Sequence, residues 1–307
     1  MRLDPILARV LRAIALNRTP GFNFPGWFLE LSYDRVGKDT AVASLETGAH
    51  DVDATGQMDI GALALLADMA LASALRGSVG ASARLATVTM QLQLTGVPRT
   101  GRITASAAFE GFLEGAKGRQ GLSRAEIRSG RKLVAHASGA FMVLGGPRAT
   151  APHPLPRRGV GQLAQDLHPE HLNAEEERVF IRAADALRAG GPFLANFWGY
   201  SPRRRKDGAT CTAAHGMHIG NRVGHAQGGV TFGLAANTAV GALGAGWPVV
   251  SASAWYIGPG TGLELRARST VIHKGLLTAV VHTRIEDDEK RGVLECVTSH
   301  ARSGPHE

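Results

Sequence analysis

Asp68 is the residue whose sequence surroundings most strongly suggest chemistry. Its neighbours one helical turn away are Ala64, Leu65, Leu71 and Ala72, so it does not belong to a polar helical stripe. Burying a carboxylate there costs free energy unless it is paired or hydrogen-bonded, and burial raises its pKa toward the range of a general base. Asp68 is therefore a candidate base or nucleophile, the alternative being a structural Asp bound to a neighbouring strand.

A glycine-rich loop in the second half of the chain offers complementary chemistry. Residues 221–229 read NRVGHAQGG and precede an apolar run that predicts a helix. The first turn of this helix would supply free backbone N–H groups and the positive end of a dipole. The loop thus predicts an oxyanion-binding element, the alternative being a turn that only starts a buried helix. The catalytic donor would be Gly229, and the substrate-binding residues would be Asn221, His225, Gln227 and Gly228.

The two halves of the chain are related by a constant offset of 168 residues. Residues 53–68 align without a gap with residues 221–236. The same offset relates a predicted helix, about 4–16, to 174–190, and an aromatic segment, 26–33, to 194–201. A single offset across three features indicates two copies of one fold.

Each copy continues with the same elements. A long apolar helix is predicted at about 61–76 and again at 229–245. Strands are predicted near 85–95, 102–113, 121–129 and 132–144, and near 249–257, 263–272, 276–286 and 292–301. An apolar helix followed by four antiparallel strands implies a sheet wrapped around the helix, an α+β fold. The predicted organisation is a first copy at 1–145, a Pro-rich linker at 146–172 and a second copy at 173–307.

These motifs resemble those of the acyl-CoA thioesterases of the phenylacetic-acid-pathway type, which have the hotdog fold. The loop from Asn221 to Gly229 matches the first part of the family pattern, and Leu66-Ala67-Asp68 matches the acidic end of it. The resemblance covers nearly the whole chain as two tandem hotdog units, a pseudo-dimeric double hotdog. It implies an active site between the units, with the glycine loop from one and the acidic residue from the other.

Each half departs from the family pattern in a different place. The first half has Asp53 where the second has Asn221, and Ile60 where a glycine is expected. The second half has Ala236 at the acidic position. The complementary parts would make one complete site and one dead site. Asp53 and Asp59 would then be remnants, rebuilt as structural caps.

Thr87 occupies a position where the resemblance implies a Ser or Thr near the acidic residue. Its counterpart in the second half, by position along the strand, is Val249. A hydroxyl at Thr87 could hold a water or the carboxylate, although Thr is also common in strands. Thr87 is therefore the third predicted catalytic residue, beside Asp68 and Gly229.

Composition limits the class of partner and the compartment. The 307 residues carry a net charge of +8 spread over both halves, which argues against a nucleic-acid domain and suits an anionic small ligand. Two cysteines are too few for a disulfide framework, and the basic, interrupted N-terminal segment predicts an amphipathic helix, so a cytoplasmic protein is expected. The uncharged run 223–263 contains glycines and prolines typical of a buried helix and strand, so no membrane association is expected.

Three weaker signals remain. The basic run Arg203–Lys206 is predicted in a loop after an aromatic strand, where it could meet coenzyme A phosphates or simply be solvated. His215 and His218 are predicted on one strand and would point to opposite faces, which is poor metal geometry. We therefore expect no metal, and no cofactor apart from coenzyme A as part of the substrate.

Three functions fit the predicted fold. The first is hydrolysis of an acyl-CoA or related acyl thioester, by a monomer or a homodimer of double hotdogs. The second is a non-catalytic acyl-CoA-binding or regulatory protein. The third, a hotdog dehydratase or hydratase, is disfavoured because the sequence contains neither a His-Phe-Pro-Gly-like nor a D-x-N-P-x-H-like segment to supply a catalytic His.

Overall fold

The fold is seen in a computed structural model, which describes residues 3–80, 82–115, 118–145, 155–158 and 167–304. The helices are α1 (Pro5–Asn17), α2 (Phe24–Phe28), α3 (Ile60–Val79), α4 (Ala174–Ala189), α5 (Phe193–Trp198) and α6 (Gly228–Leu243). The strands of the first half are β1 (Ser32–Val36), β2 (Thr40–Glu46), β3 (Arg84–Leu94), β4 (Arg102–Gly115), β5 (Gly118–Ser129) and β6 (Lys132–Leu144). Those of the second half are β7 (Arg203–Arg205), β8 (Gly208–Ala214), β9 (Val249–Tyr256), β10 (Glu264–Lys274), β11 (Thr278–Asp287) and β12 (Gly292–Ala301). The order of elements is the same in both halves.

The strands form one continuous antiparallel sheet across the two halves. Its order is β1-β2-β4-β5-β6-β3-β9-β12-β11-β10-β8-β7. The halves join through β3 and β9, where Gln91 pairs with Ser253 and Met90 with Ala254. Two six-stranded halves thus share a central seam, and neither β3 nor β9 is left as an open edge.

Each long helix packs on the sheet of its own half. Helix α3 begins where the Asp59 side chain accepts a hydrogen bond from Gly61 N, and α6 begins where Gln227 does the same for Val230 N. Both helices are apolar around most of their circumference because they are buried between the sheet and each other. Helix α3 is long and apolar enough to cross a membrane by length and composition alone, and most of it is buried within the protein.

Helices α3 and α6 cross in direct backbone contact. A Cβ added at Gly229 would lie 2.3 Å from Leu65 Cα, and one added at Gly233 would lie 2.5 Å from Gly61 Cα. Gly61 and Leu65 lie 168 residues before Gly229 and Gly233, so the two contacts are equivalent under the offset. The crossing therefore lies on a pseudo-twofold axis. Because the helices run antiparallel, Asp68 of α3 lies beside the start of α6.

Most predicted elements are confirmed. The four predicted helices and eight predicted strands are present, with ends that differ by no more than three residues. The uncharged run 223–263 contains α6 and β9, as predicted. The linker and the division at 145 and 172 stay predictions, since residues 146–154 and 159–166 lie outside the described part of the chain.

Two local predictions are wrong. The aromatic segments form the short helices α2 and α5 instead of strands. Asn23 caps the start of α2. In α5 the side chains of Phe193, Leu194, Phe197 and Trp198 are all buried, so the sequence lacks the periodic change from apolar to polar residues that indicates a helix. His215 and His218 do not share a strand. Strand β8 ends at Ala214, and His218 lies in a 3-10 turn at Met217–Ile219.

Replacing Gly229 by Ala is expected to destabilise the protein by about 2 kcal/mol or more, because the new Cβ forces the two helix backbones apart. Urea denaturation followed by circular dichroism measures this change. The matched control is Gly228→Ala in the same helical turn, whose Cβ would meet only side-chain atoms, at 3.1 Å or more. Equal losses of stability in the two variants would contradict the close crossing.

Candidate active site

Asp68 is held by one side chain from each half of the chain. Its Oδ1 accepts a hydrogen bond from Thr87 Oγ1 at 2.9 Å, and its Oδ2 accepts one from Gln227 Nε2 at 2.9 Å. Asp68 is 6% exposed, so burial raises the pKa of its carboxyl to about 6, while the two hydrogen bonds act in the opposite direction. The predicted partnership of Asp68 with Thr87 and with the loop of the other half is present.

Gln227 connects the carboxylate to the start of α6. Its Oε1 accepts a hydrogen bond from Val230 N at 3.0 Å, and its amide nitrogen donates to Asp68. The same side chain therefore caps the helix and fixes the carboxylate. In the structure Gln227 therefore orients the helix start and the carboxylate of Asp68.

The N-terminus of α6 carries two backbone donors beside Asp68. Within the described residues the N–H groups of Gly228 and Gly229 make no hydrogen bond, as the first turn of a helix implies. A Cβ at Gly228 would lie 3.1 Å from Asp68 Oδ2 and 3.4 Å from the Tyr256 ring. Glycine at 228 thus leaves open the space above the carboxylate, whereas Ile60 occupies the corresponding position of the first half.

Two further residues fix this turn, and sequence reasoning missed them. The hydroxyls of Tyr256 and Thr231 both donate to the carbonyl oxygen of Gly228, each at 2.9 Å. At the corresponding positions of the first half stand Leu94 and Leu63. The sequence contains a signal for both residues, because at each position the second half has a polar side chain where the first half has an apolar one.

A cavity of about 500 Å³ joins these groups. The predicted residues that line it are Asp68, Thr87, Asn221, His225, Gln227 and Gly228. Asn221 shapes the loop, since its Oδ1 accepts hydrogen bonds from Val223 N and His225 N. Gly229 lies in the helix crossing next to the cavity, where its backbone N–H belongs to the first turn.

In the other half, the position related by the pseudo-twofold axis is occupied by structural interactions. Asp53 accepts hydrogen bonds from the N–H groups of its own turn and forms an ion pair with Arg99 at 2.9 Å. Asp59 is buried as the cap of α3. Asp59 is thus a helix cap, whereas Asp53 stabilises its own turn, and Ala236 is buried where a carboxylate would be needed.

The weaker candidates lie elsewhere. Arg203–Arg205 form the exposed edge strand β7, contrary to the predicted loop, and do not line the cavity of Asp68. His215 Nδ1 contacts the carbonyl oxygen of Gly262 at 2.9 Å, outside that cavity. Among the described residues, no group of three or more His, Cys, Asp or Glu side chains could hold a metal ion.

Comparison with solved structures identifies the architecture. A hotdog-fold protein from Alicyclobacillus acidocaldarius matches over 90% of this chain and 96% of its own, with TM-score 0.54 and 8% identity. The chain has the double hotdog fold. A protein assigned as an oleoyl thioesterase from Lactobacillus plantarum matches over 89% and 99%, with TM-score 0.55 and 11% identity. The tesB protein of Mycobacterium avium subs paratuberculosis matches over 89% and 96%, with TM-score 0.50 and 13% identity.

These matches rest on structure. No protein-family model matches the chain, and no curated protein matches it. At such identities the matches establish the double hotdog as a fold, and a fold alone does not determine an activity.

Replacing Asp68 by Asn is expected to stabilise the protein at neutral pH. The amide keeps both hydrogen bonds, because its oxygen accepts from Gln227 and its nitrogen donates to Thr87. The folded-state pKa of about 6 lies above the ordinary value of 3.8, so wild type loses stability as pH rises toward 6. Above that pH the gain of the variant should be constant at about 2 to 3 kcal/mol.

Urea denaturation at pH 4 and pH 7.5 measures this difference. The expected result is a gain at pH 7.5 that nearly vanishes at pH 4. A variant less stable than wild type at pH 7.5 would show that the carboxylate is well solvated or paired by other means.

Proposed function

We propose that the protein hydrolyses an acyl thioester, an acyl-CoA in particular, at a single composite site between its halves. The observation that carries the proposal is the hydrogen-bonded arrangement of Thr87, Asp68 and Gln227 directly beside the open N-terminus of α6. A carboxyl with a raised pKa lies next to N–H groups that have no hydrogen-bond partner among the described residues, and acyl transfer to water requires a base and such donors. One of the fold neighbours, the protein from Lactobacillus plantarum, is assigned as an oleoyl thioesterase, with which the proposal agrees.

The thioester carbonyl would lie against the start of α6. The N–H groups of Gly228 and Gly229, at the positive end of the helix, would bind its oxygen as negative charge develops during attack. Gly228 has no side chain to fill the space beside Asp68. Substrate would thus reach both the donors and the base.

Asp68 would act as the general base. It accepts a proton from a water molecule while the water oxygen forms a bond to the carbonyl carbon. The resulting tetrahedral intermediate collapses with cleavage of the C–S bond, and the proton passes from Asp68 to the leaving thiolate. Direct attack by Asp68 is the less favoured route, because both of its oxygens already accept hydrogen bonds, which lowers their nucleophilicity.

Asp68→Asn is expected to lower kcat/KM by about two orders of magnitude or more, since the amide cannot accept the proton. For wild type, kcat/KM should rise with pH up to about 6 and then level off, because the carboxylate is the active form. Thiol release from a panel of acyl-CoAs measures both effects.

The matched control is Asp59→Asn. Asp59 is likewise buried, with a pKa raised to about 6 by burial, but it caps α3 away from the cavity and should leave activity unchanged. Full activity in Asp68→Asn would overturn the proposal. Binding of acyl-CoAs to wild type without thiol release would favour the non-catalytic binding protein instead.

Tyr256 is proposed as a positioning residue in the same reaction. Its hydroxyl holds the Gly228 carbonyl, and the planar peptide bond transmits that orientation to the N–H of Gly229. Tyr256→Phe should therefore lower kcat roughly tenfold with little change in KM, since only stabilisation of the developing oxyanion is weakened.

Tyr200→Phe is the control for this effect. The Tyr200 hydroxyl is also buried and donates to a carbonyl of α6, that of Val230, at 2.6 Å. Both variants should lose stability, but only Tyr256→Phe should lose kcat. Equal kcat in Tyr256→Phe and wild type would reduce Tyr256 to a structural role.

A further inference from the structure

Three arginines line the cavity of Asp68. Arg76 lies in the last turns of α3, Arg84 opens β3, and Arg222 belongs to the loop before α6. They come from both halves of the chain, as the site itself does. Each is only half-buried.

Within the described residues, no carboxylate forms an ion pair with these three arginines. Arg76 donates to the carbonyl oxygen of Ala83 at 2.7 Å, while the side chains of Arg84 and Arg222 have no hydrogen bond or ion pair within the described part of the chain. Asp68, deep in the cavity, is the one acidic residue in the described lining. By contrast, Arg99 and Arg102, in the first half of the chain, each form an ion pair with an Asp.

The arginines repel one another. Burial lowers the pKa of Arg76 to about 10, and the positive charge of Arg222 is the second cause of this lowering. Burial also lowers the pKa of Arg222, and the positive charge of Arg84 is the second cause. Because these three cations have no paired carboxylate in the described part of the chain, an anion that binds among them would neutralise their charge.

We propose that Arg76, Arg84 and Arg222 form a binding subsite for the phosphate groups of the thiol carrier, which selects coenzyme A esters over protein-bound thioesters. This inference rests on the proposed function, since it concerns the carrier half of the same substrate. A coenzyme A molecule has a diphosphate and a 3′-phosphate, about four negative charges in all. The pantetheine arm of a carrier protein has a single phosphodiester, and three clustered guanidinium groups fit the first ligand better.

The test measures binding of free coenzyme A, 3′-dephospho-coenzyme A and pantetheine by calorimetry, so it does not depend on hydrolysis. Coenzyme A should bind at least about tenfold more tightly than pantetheine, with dephospho-coenzyme A between them, and the preference should weaken at high salt. Arg84→Gln and Arg222→Gln should each weaken coenzyme A binding about tenfold and leave pantetheine binding unchanged. Arg84→Lys should restore part of the affinity.

Arg204→Gln is the control, because Arg204 lies in the exposed basic strand β7 away from the cavity. It should bind coenzyme A as wild type does. Equal affinity for coenzyme A and pantetheine would overturn the subsite, as would unchanged coenzyme A binding in Arg84→Gln and Arg222→Gln. A melting temperature near that of wild type shows that each variant is folded.

Activity assays separate this inference from the proposed function. Arginine-dependent coenzyme A binding without hydrolysis of any acyl-CoA would retain the subsite and overturn the hydrolase. Equal kcat/KM for acyl-CoA and acyl-pantetheine would retain the hydrolase and overturn the subsite. Preferred hydrolysis of a carrier-protein thioester would also overturn it.

Discussion

The backbone contact between α3 and α6 is the constraint on which the site depends. Gly229 against Leu65, and Gly233 against Gly61, bring the two helices closer than side chains would allow. Because the contact lies on the pseudo-twofold axis of antiparallel helices, each helix start faces the middle of the other helix. Asp68 consequently reaches Gln227 across the boundary between the halves, and neither half contains the arrangement by itself.

The two halves share this geometry but differ in chemistry. The symmetry of the crossing supplies two equivalent places for the proposed site, and their side chains differ. At one place Gly228, Tyr256 and Thr231 leave space and fix the helix start. At the other place Ile60, Leu94 and Leu63 replace them. Asp59, the counterpart of Gln227, caps its own helix, and Ala236 stands where the counterpart of Asp68 would be. A duplicated fold has thus retained one complete set of polar groups.

Sequence reasoning reached the fold and the centre of the site because both leave local signals. The offset of 168 residues indicated the duplication, and Asp68 stood out against its apolar helix. The orientation of Thr87 was beyond such reasoning, since a β-bulge at Val88 interrupts the alternation of β3. Arg76 and Arg84 come together with Arg222 only through the helix crossing, and the helices α2 and α5 were obscured by aromatic residues buried on every side. These features arise from tertiary packing, which no local pattern records.

The proposed function requires one substrate site per chain, built from both halves. The most direct measurement is a calorimetric titration with a non-hydrolysable thioether analogue of an accepted acyl-CoA, at neutral pH. A single composite site predicts a stoichiometry of one analogue per chain. Binding of two analogues per chain would show that the place with Ile60 and Ala236 also forms a site, and would contradict the single composite site.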